Sequence, residues 1–203
     1  MNEQNKEDDD YFISILLFGD VSVGKTSFIY NFIYDKFTMN EISSAELDLK
    51  TSDIIIEHKN IRVQLWDTVG QEKYKSVATN LILRAQGIII VYDITNKDSY
   101  KNIKIWLDLV KENCDKKVPI LIVGNKTDLE AQRVIKKEDA KNFCKKKNYK
   151  YVETSCLNGN NIRKSVTKIC KIIISKQNIR KNISFSLSAS SILENKKTLL
   201  LKF

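Results

Sequence analysis

The sequence predicts an α/β fold of three layers: a six-stranded, mostly parallel sheet with one antiparallel strand and helices on both faces. Three observations predict it. Short, continuous apolar runs recur along the chain, as in strands buried on both faces. Segments of helical periodicity stand between them. One pair of neighbouring strands, at 47–66, reads as a hairpin and supplies the antiparallel member.

Residues 11–18, YFISILLF, form an apolar run that stops at Gly19. Residues 25–34 suit a helix with Phe28, Ile29, Phe32 and Ile33 on one side. Residues 47–57 and 61–66 read as two strands around a turn at His58-Lys59-Asn60, the second with Ile61, Val63 and Leu65 on one face. Residues 87–92, GIIIVY, are a buried strand. Ile103, Trp106, Leu107 and Val110 give 98–113 helical periodicity. Residues 118–123, VPILIV, read as a strand with its proline near the start, where a missing N–H is tolerated. A charged surface helix at 136–147, a short strand at 150–154 and a helix at 161–175 complete the pattern, the last with Ile162, Val166, Ile169 and Ile173 inside.

The chain has 203 residues and a mass of 23.5 kDa, enough for one domain, or one domain and a tail, without staples. Six glycines and one proline exclude collagen-like and proline-rich architectures. No apolar run approaches the ~18 residues of a spanning helix, and the acidic start MNEQNKEDDD is not a secretory signal. The domains expected are an acidic flexible N-terminus at 1–10, a folded unit at 11–175 and a basic, Ser/Asn-rich flexible tail at 176–203 ending in KKTLLLKF. Cys114, Cys144, Cys156 and Cys170 match neither a zinc spacing nor a C-x-x-C pair, which leaves reduced thiols in a cytosolic setting. With His58 the sole histidine, zinc and Ser-His-Asp chemistry are poorly supported. The net charge is +9: residues 1–10 carry one Lys against five acids, and 176–203 six Lys/Arg against one Glu. Such a charge can attract nucleic acid or an anionic membrane, but without aromatic interleaving or a recognition helix nucleic-acid binding is not expected, and an A/T-rich coding sequence, which favours Lys, Asn and Ile, explains the excess as well.

The strongest chemical signal is Gly19-Asp20-Val21-Ser22-Val23-Gly24-Lys25-Thr26, a G-x-x-x-x-G-K-[ST] match between a predicted strand and a predicted helix. Its backbone N–H groups would cradle phosphates, Lys25 would neutralise the β and γ oxygens, and the Thr26 hydroxyl would ligate Mg²⁺. Asn125-Lys126-Thr127-Asp128 follows the 118–123 strand. A carboxylate at Asp128 can accept both hydrogens of the guanine N1/N2 edge, which adenine does not offer. Asn125 would brace the loop and Lys126 would lay its stem on the ring. Asp67-Thr68-Val69-Gly70-Gln71 follows a third strand: Asp67 would hold the Mg²⁺ shell, the Gly70 N–H would meet the γ-phosphate and Gln71 would orient a water. All three loops then lie at one end of the sheet.

In this order, GDVSVGKTS, WDTVGQE, VGNKTDL and ETS resemble the Ras superfamily of small GTPases, whose fold is the P-loop NTPase G domain. Trp66 before the DTxGQ motif and the YDIT segment at 92–95 resemble the Rab family, and GDVSVGKTS with NKTDL is most similar to its Golgi-associated subgroup. The resemblance covers about residues 11–175 and not the tail. It implies a GTP/GDP switch with Mg²⁺ held by Thr26, Ser44 and Asp67, with Gln71 and Lys25 catalytic. It implies nucleotide contacts from residues 20–27 (Asp20, Val21, Ser22, Val23, Gly24, Lys25, Thr26, Ser27), from Phe37, Ser44 and Gly70, and from Asn125, Lys126, Asp128 and Leu129. Ser155 and Cys156 stand in place of the family's SA pair, and Leu157 in place of a lysine over the base. It also implies an exchange factor, an activating protein and effectors that read 38–50 and 66–82, a monomeric state, and a cytoplasmic or peripheral Golgi or endomembrane location.

The departures from the family pattern are specific. Val21 is bulkier than the usual residue and would crowd Gln71, or else is one of the larger residues that Rab-like proteins tolerate there. Ser44 replaces the switch threonine, Glu46 a glycine and Glu41 an aromatic; Val69 replaces the usual alanine. The aromatic trio that Rab effectors read becomes Leu49, Trp66 and Leu81, which should alter partner choice. The last cysteine is Cys170, inside a predicted helix, so the usual prenylation is not expected and membrane association stays open. The expected function is a Rab-like GTPase in vesicle-mediated transport; the alternative is a GTP-locked module in which Val21 and the altered switch suppress hydrolysis.

Overall fold

The computed structural model describes residues 11–37, 48–68, 75–114 and 117–177; for 75–78, and for Asp48, it describes the backbone alone. Six strands form one sheet: β1 (Tyr11–Phe18), β2 (Asp48–Ile56), β3 (Lys59–Asp67), β4 (Gly87–Asp93), β5 (Ile120–Asn125) and β6 (Lys150–Glu153). Their spatial order is β2-β3-β1-β4-β5-β6, and every neighbouring pair is parallel except β2 and β3. The helices are α1 (Lys25–Tyr34), α2 (Lys75–Arg84), α3 (Lys97–Asn113), α4 (Lys137–Lys146) and α5 (162–177), with a 3₁₀ segment at Thr127–Gln132.

Period-two alternation along the central strands divides the core into two layers. Ile13, Ile15 and Leu17 of β1 pack with Ile89 and Val91, Leu121 and Val123, and the inner faces of α1 and α5. Leu16 and Phe18 pack with Ile88, Ile90, Tyr92 and Ile122 under α2, α3 and α4. Both faces of β4 are therefore buried along its whole length. Burying a side chain of this class contributes about 1.5–3 kcal/mol, so polar flanks are tolerated while the strands hold. The Asn96 side chain starts α3 by accepting from the amides of Asp98 and Ser99 (2.9 and 3.0 Å).

Three expectations shift. The hairpin turns at Glu57 and His58, both left-handed (φ 51° and 64°), and not at 58–60; Lys59 and Asn60 belong to β3. Two successive positive φ values give the hairpin twist that continues the strands. The strand expected at 118–123 runs Ile120–Asn125, because Pro119 has no N–H for the ladder; its carbonyl accepts from the Ile88 amide (2.9 Å). Helix α2 was not expected at all. It is held by burial of Ile82 and by a hydrogen bond from Thr79 to Asn113 of α3 (3.0 Å).

Candidate functional site

The turn from β1 to α1 begins at the carboxyl end of the sheet and cannot carry side chains at its two glycines. A Cβ on Gly19 (φ 145°) would sit 2.2 Å from the Val91 carbonyl oxygen, and one on Gly24 (φ 98°) 2.4 Å from the Asn125 amide nitrogen. Ser22 is also left-handed (φ 62°). Alternating hand along such a turn aims successive N–H groups inward, which makes an anion cradle. No side chain caps the first turn of α1, so its amides are left for a ligand. Val23 is buried beneath the turn, Ser22 is exposed, Thr26 and Ser27 are half-buried, and Val21 stands 65% exposed.

Lys25 points back into this turn. Its Nζ donates to the Gly19 and Asp20 carbonyls (2.9 and 2.7 Å), and the residue is only 6% exposed. Burial lowers its pKa to about 8, against the pull of Asp67 and Asp20. Asp20 is itself tied down by α3: the Asn102 amide donates to one carboxylate oxygen (2.7 Å) and the Trp106 indole to the other (2.9 Å). Trp106 also stacks on Phe18 at 5.4 Å. Neither Asn102 nor Trp106 was singled out for the site from sequence; Trp106 read as core.

The Thr26 hydroxyl donates to the Asp67 carboxylate (2.6 Å). A hydroxyl and a buried carboxylate are hard oxygen donors, the set that Mg²⁺ prefers, so these residues fit that ion. Thr68 is anchored through its hydroxyl to the Leu17 carbonyl.

The third loop is joined to the first. Asn125, the last residue of β5, donates to the Val23 carbonyl (2.9 Å) and accepts from the Thr154 hydroxyl (3.0 Å) and the Cys156 thiol (3.3 Å). Asn31 of α1 donates to the Cys156 carbonyl (3.1 Å). Lys126 is left-handed (φ 70°) and pairs with Asp93 at 2.6 Å. Burial would raise the Asp93 pKa, but hydrogen bonds from Lys126 and Thr95 together hold it below the usual carboxylate value. Asp128 is exposed, accepts from the Ser155 hydroxyl, and precedes half-buried Leu129. Phe37 and Leu157 lie on a hollow of about 380 Å³ with Asn31, Asp35, Gly159 and Arg163. Cys144, Cys156 and Cys170 are buried and Cys114 is half-buried.

Of the site residues expected from sequence, those at 20–27, Phe37, Asp67, Asn125, Lys126, Asp128, Leu129, Ser155, Cys156 and Leu157 stand on strand ends, loops and first helical turns at this one end. Ser44, Gly70 and Gln71 lie outside the described residues, as do Glu41, Glu46 and Val69. So does any contact between Val21 and Gln71. Leu49 lies opposite Trp66 in the β2–β3 register, and Leu81 packs on the same core layer as Trp66.

The family model for the Ras family matches residues 14–175. The chain is 36% identical over 175 residues to Ras-related protein RABA4b of Arabidopsis thaliana, covering 86% of this chain and 78% of that protein. It is 34% identical to Ras-related protein Rab11C of Nicotiana tabacum over 194 residues (94% and 87%), and 36% identical to Ras-related protein Rab-13 of Rattus norvegicus over 185 residues (91% of each). The chain belongs to the Ras family and, within it, to the Rab small GTPases.

Proposed function

Taking a Rab-family small GTPase as the premise, we propose that residues 11–175 are its switch domain, working in vesicle-mediated transport from the cytosolic face of endomembranes, with the Golgi as the organelle. The observation that carries the reading is the joining of two loops far apart in sequence: the Asn125 side chain holds the phosphate loop at Val23 and the 154–156 loop together. One residue thus sets where phosphates and base lie relative to each other.

In this reading the turn amides and Lys25 receive the phosphates. Lys25 is already desolvated, so an anion gives it the charge partner that burial denies it. Asp128 selects guanine, held at its carboxylate by Ser155, and Lys126, fixed by Asp93, covers the ring with Phe37 and Leu157. Thr26, Ser44 and Asp67 would hold Mg²⁺, which when bound screens charge on the β and γ oxygens. Gln71 orients the attacking water, the Gly70 N–H meets the γ-phosphate, and regulators and effectors read 38–50 and 66–82. The unit acts as a monomer, with 1–10 and the residues after α5 as extensions outside it; a nucleic-acid partner has no part in it. Hydrolysis changes what holds the switch segments and so which partners bind.

The test is the nucleotide that copurifies with the full chain, identified by extraction and chromatography, alongside Asp128→Asn. Guanine nucleotide on the wild type and lost guanine preference in the variant are expected. Adenine nucleotide, or unchanged base preference in Asp128→Asn, would overturn the assignment.

A further inference from the structure

The charge of this chain is not spread evenly. Residues 11–135 carry 16 Lys/Arg against 16 Asp/Glu, whereas 136–177 carry 12 against 3. Lysine-rich codon usage would raise both segments, so it does not explain the contrast.

The fold gathers this excess at one end. The nucleotide loops leave the carboxyl ends of β1, β3 and β5, and the opposite end is where β5 and β6 begin. Helix α4 finishes there, since the Tyr149 amide donates to the Cys144 carbonyl just before β6. Helix α5 arrives there too, since Lys176 donates to the Lys117 carbonyl (3.3 Å). Lys117, Lys145, Lys146, Lys147, Lys150 and Lys176 are all exposed at this end. Lys164 and Lys168 continue the row along the edge strand, where Lys168 donates to the Tyr151 carbonyl (3.3 Å).

Four other cations of the segment have acids beside them: Lys137 with Glu153, Lys141 with Glu138, Arg163 with Asp35 and Lys171 with Glu57. The eight in the row make no ion pair among the described residues. Burial lowers the Lys168 pKa, and repulsion from Lys150 and Lys164 lowers it further. A basic last turn complements the α4 dipole, which accounts for Lys145 and Lys146. It does not account for Lys117, Lys150 or the α5 lysines 164 and 168.

We propose that this basic end docks on an anionic lipid surface, leaving the nucleotide end turned away from the bilayer. The chemistry favours lipid over other acidic partners. The row is all lysine, a point charge suited to a diffuse anionic layer, not the planar fork that reads a phosphate bidentately. The aromatics of this end, Phe143, Tyr149 and Tyr151, pack into the core and offer no platform for bases. None of the exposed large apolar side chains among the described residues lies in 136–156 or 158–177, so a protein partner would find no anchor. The sequence that follows α5 adds five more Lys/Arg against one Glu and the apolar-basic stretch KKTLLLKF. The inference deepens the endomembrane location proposed above and is independent of the base assignment, because vesicle binding is read without nucleotide chemistry.

The experiment is cosedimentation of the full chain with vesicles of phosphatidylcholine alone or mixed with phosphatidylserine. It is run at about 0.1 M and about 1 M salt, between which the screening length falls from ~10 to ~3 Å. Binding to the mixed vesicles alone, lost at high salt, is expected. Each lysine near such a surface contributes roughly five-fold in affinity, so Lys145→Glu/Lys147→Glu/Lys150→Glu should lose on the order of a hundred-fold. Lys101→Glu/Lys104→Glu on α3 should lose little, with circular dichroism verifying that both variants fold. No binding at low salt would overturn the proposal. So would binding that survives the triple variant and disappears on deleting 178–203, or binding to RNA or an acidic protein with none to the mixed vesicles.

Discussion

Replacing Lys25 by methionine should remove a pH dependence from the nucleotide-free protein. The buried amine titrates near 8 in the fold, against its usual value of 10.5. The unfolded chain therefore binds more protons between those values, and stability rises with pH across the window. Below pH 8 the buried charge costs about 3 kcal/mol, from 2.5 pKa units at ~1.36 kcal/mol each. Roughly 2 kcal/mol of that is regained between pH 7 and pH 9.5. Lys25→Met keeps the stem and lacks the charge, so its curve should miss this rise, while the Gly19 and Asp20 carbonyls lose a donor equally at every pH. The assay is urea unfolding of both proteins, stripped of nucleotide, at a series of pH values from 7 to 9.5. The quantity compared is the difference between the two curves, in which other titrating groups cancel. Parallel curves would refute the argument that burial of this ammonium, relieved by an anion, underlies phosphate binding.

Two further substitutions probe the frame around the loop. Trp106→Phe retains the ring against Phe18 and deletes the indole N–H that Asp20 accepts. The loss should be about 1–2 kcal/mol by urea denaturation, with faster release of a fluorescent nucleotide. Glu153→Gln removes the carboxylate shared by Arg133, Lys137 and Tyr151. The cost should be about 2–3 kcal/mol at neutral pH, less than the ~3–5 kcal/mol for breaking a buried pair because Arg133 keeps Glu130. Burial would raise the Glu153 pKa, but the donors outweigh it and the value is lowered. Its contribution is therefore complete above the carboxylate range and lost as pH falls through it, so wild type and variant should converge toward acid pH.

The legible parts of this sequence were those where one residue type has one physical use. The glycines at 19 and 24 permit an approach that any Cβ would block, the continuous runs 15–18 and 87–92 have two buried faces to fill, and 61–65 alternates because only one of its faces is buried. The misplacements occurred where local preference lost to register. Asn60 is the better turn former, yet Ile54 and Ile56 are core residues; pairing Ile56 with Lys59 puts the turn on Glu57 and His58. Gly124 and Asn125 look like loop residues but complete β5, because Gly124 meets the Tyr92 and Tyr151 hydroxyls, where a Cβ would fall at 2.7–3.0 Å. Helix α2 was hidden because KSVATNLILR mixes weak helix formers and gains its order from Ile82 and α3. The Asn102 and Trp106 anchors lie 82 and 86 residues from Asp20, a distance over which no spacing rule operates.

The three anchors explain why a loop with two glycines and an inward-folded cation holds one shape. Asn125 fixes it from β5, Lys25 closes it on itself through two carbonyls, and α3 grips Asp20 by both carboxylate oxygens. Each contact comes from a different element, so the loop is ordered when the domain folds and not when a ligand arrives. Its conformational entropy is then absent from the cost of binding, which leaves more of the phosphate contact energy for affinity. The same arrangement makes the base loop and the phosphate loop one mechanical unit. A disturbance at Asn125 reaches Val23 on one side and Thr154 and Cys156 on the other, so loss of that single amide should weaken phosphate and base recognition together.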